Sequence, residues 1–92
     1  CSVMLSVPAT IACARAGDLT NAERHLAMAE QSAPLWEGTS WEAAIAEAQA
    51  SVAEARGDRT GAVERLESAI AQFARAGQPL DVERCRRAMA SL

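Results

Sequence analysis

The feature that most constrains the fold is an internal repeat in which Gly57 begins the same pattern that Gly17 begins. Residues 17–29 read GDLTNAERHLAMA and residues 57–69 read GDRTGAVERLESA, so Gly, Asp, Thr, Ala, Leu and Ala recur at matching offsets. The two copies are 40 residues apart (57 − 17), which is long enough for two helices and a turn. One such unit cannot bury its apolar face alone. The repeat therefore predicts stacked helical hairpins, an architecture that usually binds or spaces partner molecules.

Composition restricts the chain to one small domain with closely approaching helices. The 92 residues include 22 alanines, one Phe and no Tyr, so contacts in the core must be small. The formal charge of −3 argues against a surface that binds nucleic acid, which needs a net basic face. No segment approaches the roughly 18 apolar residues that a membrane-spanning helix requires. We therefore expect a cytoplasmic protein without direct nucleic-acid or membrane binding.

Cysteine usage predicts neither a disulfide framework nor a zinc site. Cys1, Cys13 and Cys85 have no C-x-x-C spacing and are odd in number. Because the sequence begins at Cys1 and not at Met, we expect it to be a piece of a longer protein. The less favoured alternative is a bacterial lipoprotein with a lipidated N-terminal cysteine.

Glycine and proline divide the chain into five predicted helices. Gly17, Gly57 and Gly77 each follow an Ala/Arg-rich run and are interpreted as residues that end a helix. The predicted segments cover about 7–16, 19–32, 39–56, 60–76 and 79–92, with 33–38 as a linker. Pro8 is placed in the first turn of the first helix, although residues 3–5 could extend that helix if Pro8 kinks it. Thr39 and Glu42 match a capping box that would start the third helix.

No stretch alternates apolar and polar residues as a strand would, so the fold class is all-α. The short turns favour antiparallel helical hairpins stacked as a short α-solenoid of about five helices. We expect a single domain over 1–92, with repeats at about 3–36 and 41–76 and a capping helix at about 79–92.

The second half of each repeat resembles the tetratricopeptide repeat (TPR). That family places Ala five residues after a Gly, an aromatic residue or Leu nine after it, Ala twelve after it and Pro seventeen after it. All five positions match in the first copy, at Gly17, Ala22, Leu26, Ala29 and Pro34. Four match in the second copy, at Gly57, Ala62, Leu66 and Ala69, with Ala74 in place of Pro. In the first halves only the small positions agree, so the chain is TPR-like.

A narrower resemblance concerns the segment FARAGQPLD at 73–81 and the Ala-rich composition, in which every basic residue is Arg. Both are similar to the C-terminal helical-repeat region of large bacterial regulators that carry an ATPase core and a LuxR-type DNA-binding or nucleotide-cyclase domain. The resemblance implies a sensor or interaction segment in transcription regulation or signal transduction. Catalysis and DNA contact would then lie in other domains of the parent chain.

The residues offer no catalytic constellation. His25 is the only histidine and its spacing implies no nearby nucleophile, so a solvated surface histidine is favoured. Cys13 and Cys85 fall on inner helical stripes and are interpreted as core. The glycines form no phosphate-binding loop. We therefore expect a protein that is not an enzyme and that uses no cofactor and no metal.

Most charged residues are interpreted as solvated helix surface. The carboxylates assigned to the wet side of the third helix are Glu42, Glu47 and Glu54. The only basic cluster consists of Arg84, Arg86 and Arg87. Asp81 and Glu83 lie three and four residues earlier, so pairing along the helix is favoured over recognition of an anion or a partner.

Four residues are predicted to contact a partner, which is expected to be a protein or peptide, a neighbouring domain of the same parent chain, or a ligand. They are Trp36, Trp41, Glu42 and Gln49. Aromatic residues are enriched in binding hot spots, but packing of both tryptophans over the hairpin junction is the favoured alternative. Alanine at Gln49 should weaken partner capture without lowering the melting temperature. The alternative function is a structural capping segment of a longer helical solenoid, which would self-associate through an exposed helical edge when excised.

Overall fold

The described part of the chain forms five α-helices, as the sequence predicts. The computed structural model describes residues 2–31 and 40–92, and the side chains of residues 6–31 and 41–92 within them. The helices are α1 (Ser2–Arg15), α2 (Leu19–Gln31), α3 (Ser40–Ala55), α4 (Arg59–Arg75) and α5 (Pro79–Ala90). Within the described ranges there is no strand. The all-α prediction is therefore confirmed.

The first helix starts earlier than the favoured interpretation places it, and the alternative in which residues 3–5 extend the helix is confirmed. The sequence placed Pro8 in the first turn of a helix that begins near Val7, but α1 begins at Ser2 and contains Pro8 in its interior. Proline removes one intrahelical hydrogen bond and crowds the carbonyl four residues before it. Just beyond it, the buried Thr10 hydroxyl donates a 2.6 Å hydrogen bond to the Ser6 carbonyl, which satisfies two polar groups inside the packed part of α1.

The turns at Gly17 and Gly57 have the same hydrogen-bonded geometry. Both glycines have positive φ, +82° and +81°, a region that residues with a Cβ rarely occupy. Each donates its N–H to the carbonyl three residues back, while the following Asp donates to the carbonyl five residues back. This pair of bonds is the Schellman ending of a helix. The predicted helix ends at both glycines are confirmed.

The aspartate after each glycine caps the next helix. The Asp58 carboxylate accepts a 2.9 Å hydrogen bond from the Gly61 N–H at the start of α4. The Asp18 carboxylate accepts a longer 3.4 Å bond from the Asn21 N–H and a 2.6 Å bond from the Asn21 side-chain amide. Gly-Asp therefore both closes one helix and opens the next, which explains its recurrence in the repeat.

Helix α3 is the shared central element of the packing. The hairpins α1–α2 and α3–α4 each pack together, α5 packs on α4, and α3 also contacts α1 and α2. One apolar cluster joins α1, α2 and α3 around Val7, Leu26 and Val52. A second joins α3, α4 and α5 around Leu66, Phe73 and Cys85. Both faces of α3 are thus covered, which accounts for its many buried alanines.

The repeat is visible in burial as well as in sequence. Ser6 and Thr10 in α1 are buried, and so are Ala46 and Ala50 at the matching offsets in α3. These are small-residue positions where helices approach closely. The first helices of the two repeats therefore hold equivalent positions although their sequences differ.

Candidate binding groove

A groove of about 520 Å³ is lined by α1, α3 and α5, with Phe73 contributed by α4. Its apolar lining consists of Val7, Pro8, Ile11, Ala12, Trp41, Ala44 and Phe73. Its charged lining consists of Arg15, Glu47, Asp81 and Arg84. A concave, mostly apolar site with a few charged groups at defined places is the usual form of a binding pocket.

Glu47 is the unexpected residue in this groove. Its side chain is only 9% exposed, and it forms a two-point ion pair with Arg84 of α5. Arg84 Nε donates to Glu47 Oε2 at 2.9 Å, and Nη2 donates to Oε1 at 2.6 Å. The expectation that Glu47 faces solvent is therefore wrong, because α5 covers that side of α3 and supplies a cation for the carboxylate. Of the other two predicted solvent-facing carboxylates, Glu42 is half-buried and Glu54 is exposed.

Arg84 contacts three other residues of the groove. Besides Glu47 it donates to Asp81 within α5, and its guanidinium carbon lies 5.7 Å from the centre of the Phe73 ring. The hydrogen bonds to Glu47, and secondarily that to Asp81, raise the pKa of Arg84 above its ordinary value despite partial burial. This guanidinium therefore stays charged and holds α5 against α3 while covering the ring of Phe73.

Pairing along α5 is confirmed for two of its arginines. Arg84 pairs with Asp81, and Arg87 Nε lies 3.5 Å from Glu83 Oε1. Arg86 is exposed and has no ion-pair partner among residues 2–31 and 40–92. The link from Arg84 across to α3 was missed. The signal that could have found it is the repeat itself, since Glu47 stands ten residues before Gly57 where the apolar Val7 stands ten before Gly17.

The residues that are predicted from the sequence to contact a partner do not share one site in the structure. Trp41 lines the groove and also packs against the α1–α2–α3 core. Glu42 is half-buried on α3 and is not among the groove-lining side chains. Trp36 lies outside the described residues, as do Cys1, the linker 33–38 and Thr39 of the capping box.

Gln49 lies in a different place. Its amide donates a 2.7 Å hydrogen bond to Glu30 of α2, in a polar depression of about 280 Å³ between α2, α3 and α4. The ion pair of Arg56 with Glu23, at 2.6 Å, borders the same region. Trp41 and Gln49 thus serve two distinct surfaces of one helix.

The cysteines Cys13 and Cys85 and the histidine His25 are partly or fully buried. Cys85 is fully buried, and burial, together with the nearby Glu47 charge, raises the pKa of its thiol to about 11. Cys13 is partly buried against the core, so the interpretation of both thiols as core is confirmed. His25 is half-buried rather than fully solvated. In the described part of the chain, no three His, Cys, Asp or Glu side chains are grouped so that they could hold a metal ion.

These features define an all-α protein of packed helical hairpins with a groove lined by α1, α3 and α5 and by Phe73 of α4. Comparison with protein-family models, with curated proteins and with solved structures finds no match to this chain. Among the helices in residues 2–31 and 40–92, none has the length and apolar character needed to cross a membrane.

Proposed function

We propose that the chain is a non-catalytic, TPR-like interaction module that binds a protein or peptide segment in the groove between α1, α3 and α5. The module would serve as a sensor or interaction segment of a larger bacterial transcriptional regulator or signalling protein. The observation that carries the proposal is the groove itself, whose apolar lining comes from α1, α3 and Phe73 of α4. Helical-repeat proteins commonly present extended concave surfaces of this kind to partners.

The chemistry of the charged groove residues supports binding over catalysis. Both carboxylate oxygens of Glu47 accept hydrogen bonds from Arg84, so this carboxylate is engaged in an ion pair rather than poised to move a proton. Trp41 offers a large rigid surface beside Ile11 and Ala44, which is the composition of an anchor pocket for an apolar side chain.

A peptide selection with a paired variant tests the proposal. Random peptides displayed on phage would be selected on the immobilised protein, and their affinities for Ala12→Arg and Ala27→Arg compared by calorimetry. Ala12 is exposed and lines the groove, whereas Ala27 is exposed on α2 outside it. We expect Ala12→Arg to weaken selected peptides by about tenfold or more, about 1.4 kcal/mol, and Ala27→Arg to leave them unchanged.

Two results would count against the groove. If no peptide is enriched, or if both arginine variants bind the selected peptides as the parent does, partner binding does not occur there. The prediction for Gln49 is tested separately, because Gln49 lines the polar depression and not the groove. If Gln49→Ala weakens the same peptides without a change in melting temperature, the binding surface extends beyond the groove.

A structural capping role is the second candidate, favoured by the outer side of α5. Glu83, Arg86 and Arg87 are exposed there, and a polar outer face is typical of the terminal unit of a solenoid. Met28 on α2 is 45% exposed and belongs to the other hairpin. In this second case the isolated chain should self-associate, and Met28→Glu should dissociate the oligomer in sedimentation equilibrium. If the unsubstituted chain is monomeric, that form of the structural role is excluded.

A further inference from the structure

Two sides of the groove carry opposite local charges. On α1, Arg15 is exposed and has no ion-pair partner among the described residues. On the opposite side, Asp81 of α5 and Glu47 of α3 share the single cation Arg84, so that this group carries a formal charge of −1. Apolar side chains, including Ile11, lie between.

Asp81 is the carboxylate that remains open to a ligand. Glu47 is almost fully covered, and both of its oxygens are used by Arg84. The Asp81 side chain is 28% exposed, its Oδ1 accepts from Arg84, and its Oδ2 has no hydrogen-bond partner in the described part of the chain. A second cation can therefore approach Asp81 without displacing Arg84.

The separation of the two charges favours a peptide as occupant. Arg15 lies in the last turn of α1 and Asp81 in the first turn of α5, so the two charges are separated along the helices as well as across the groove. An extended chain covers about 3.3–3.6 Å per residue, so a segment of several residues is needed to bridge the two charges. A peptide can therefore meet both charges and still place apolar side chains in the groove.

We infer that the groove binds an extended peptide segment in which one acidic and one basic side chain, several residues apart, flank apolar residues. The acidic group meets Arg15, the basic group meets Asp81, and the apolar side chains contact Ile11 and Trp41. This inference rests on the proposed function and names the chemistry of its partner. The opposite charges also fix the direction in which the peptide lies across the three helices.

Four synthetic peptides without tryptophan test the inference. They share one apolar core and carry acid and base, acid and Gln, Gln and base, or two Gln at the flanking positions, with blocked ends. Binding is measured through Trp41 emission in a Trp36→Phe background, which leaves Trp41 as the single tryptophan. Each peptide is titrated into the parent protein, Arg15→Gln and Asp81→Asn, at low and at high salt.

We expect Arg15→Gln to weaken only the peptides with the acid, and Asp81→Asn to weaken only those with the base, each by about three- to tenfold at low salt. The matched controls are Arg24→Gln on α2 and Glu83→Gln on α5, which remove the same charges away from the groove lining. Neither control should discriminate among the peptides. Melting curves of all variants establish that the fold is retained.

The possible failures separate the two proposals. If all four peptides shift Trp41 emission with equal affinity, or if the variants act alike on charged and uncharged peptides, the charge inference is overturned while groove binding stands. If none of the four peptides binds the parent protein, the charge inference fails. The phage selection then decides independently whether the groove binds peptides at all.

Discussion

At one equivalent buried position, the first helices of the two repeats carry residues of opposite character, an apolar side chain in one and a charged side chain in the other. Val7 in α1 and Glu47 in α3 stand ten residues before their glycines, line the same groove and are buried. Val7 satisfies burial as an apolar side chain, whereas Glu47 needs both hydrogen bonds from Arg84. The repeat therefore sets which positions are buried but leaves their chemistry open.

The neighbouring helix explains the difference. Arg84 stands 37 residues after Glu47, while Ala44 stands 37 residues after Val7 (84 − 47 and 44 − 7). Where the first repeat has a valine and an alanine, the second has an ion pair over the ring of Phe73. A position that holds a charged residue in one copy can therefore be buried, because a later helix supplies the opposite charge.

Exchanging the residue types should produce the largest effect. Val7 is 5% exposed and has no cation corresponding to Arg84, so Val7→Glu buries an unpaired carboxyl group. We expect a loss of about 3 kcal/mol in the free energy of unfolding, measured by urea denaturation followed by circular dichroism. Ala12→Glu, at an exposed position of the same helix, is the control and should cost little. Equal losses in the two variants would contradict the equivalence of Val7 and Glu47.

Removing the cation should have the next largest effect. Arg84→Met leaves Glu47 without its partner, and we expect a loss of about 2 kcal/mol. This is below the roughly 3–5 kcal/mol of fully buried pairs because Arg84 is 49% exposed. The double variant Glu47→Val/Arg84→Met should return to within about 1 kcal/mol of the parent, as the first repeat manages with apolar residues. A double variant as unstable as the single one would show that the ion pair does more than neutralise Glu47.

The turns, in contrast, should respond alike in both repeats. Gly17 and Gly57 have nearly the same φ, and a Cβ at either would meet no atom within 4 Å. Ala at each site should therefore cost only backbone strain, about 1 kcal/mol, and the two costs should agree within about 0.5 kcal/mol in thermal unfolding. Gly77→Ala, in the turn before α5 with φ +72°, is a third matched site. A much larger cost at Gly57 would mean that the second turn contributes to packing as well as to chain reversal.

Features that depend on residues close together in the sequence could be predicted, whereas features that depend on distant residues could not. Helix ends at Gly17 and Gly57 depend on residues a few positions apart, and these were predictable. The sequence alone does not determine the start of α1, because Pro8 permits both a first-turn position and an interior one, and the second is observed. The burial of Glu47 depends on α5, which is distant in sequence. The sequence could predict only that a partner would contact the first helix of a hairpin. That reasoning selected Trp41, which lines the groove, but also Gln49, which lies on another surface of α3.

The smallest expected effect concerns the caps, which differ between the repeats although their aspartates are equivalent. The side-chain amide of Asn21, and then its backbone N–H, hydrogen-bond the Asp18 carboxylate and lower the pKa of Asp18 from its ordinary value of 3.8. A depressed pKa in the folded state means that the ionised form stabilises the fold above pH 3.8 and that this contribution is lost as the pH falls through the folded-state value. The difference in melting temperature between the parent and Asp18→Asn, which keeps a capping oxygen without the charge, should therefore shrink on acidification. Asn21→Ala removes the main partner and should reduce this pH dependence, since Gly61 at the same offset offers Asp58 only a backbone N–H. A difference that stays constant with pH would mean that the charge of Asp18 contributes nothing to the first cap.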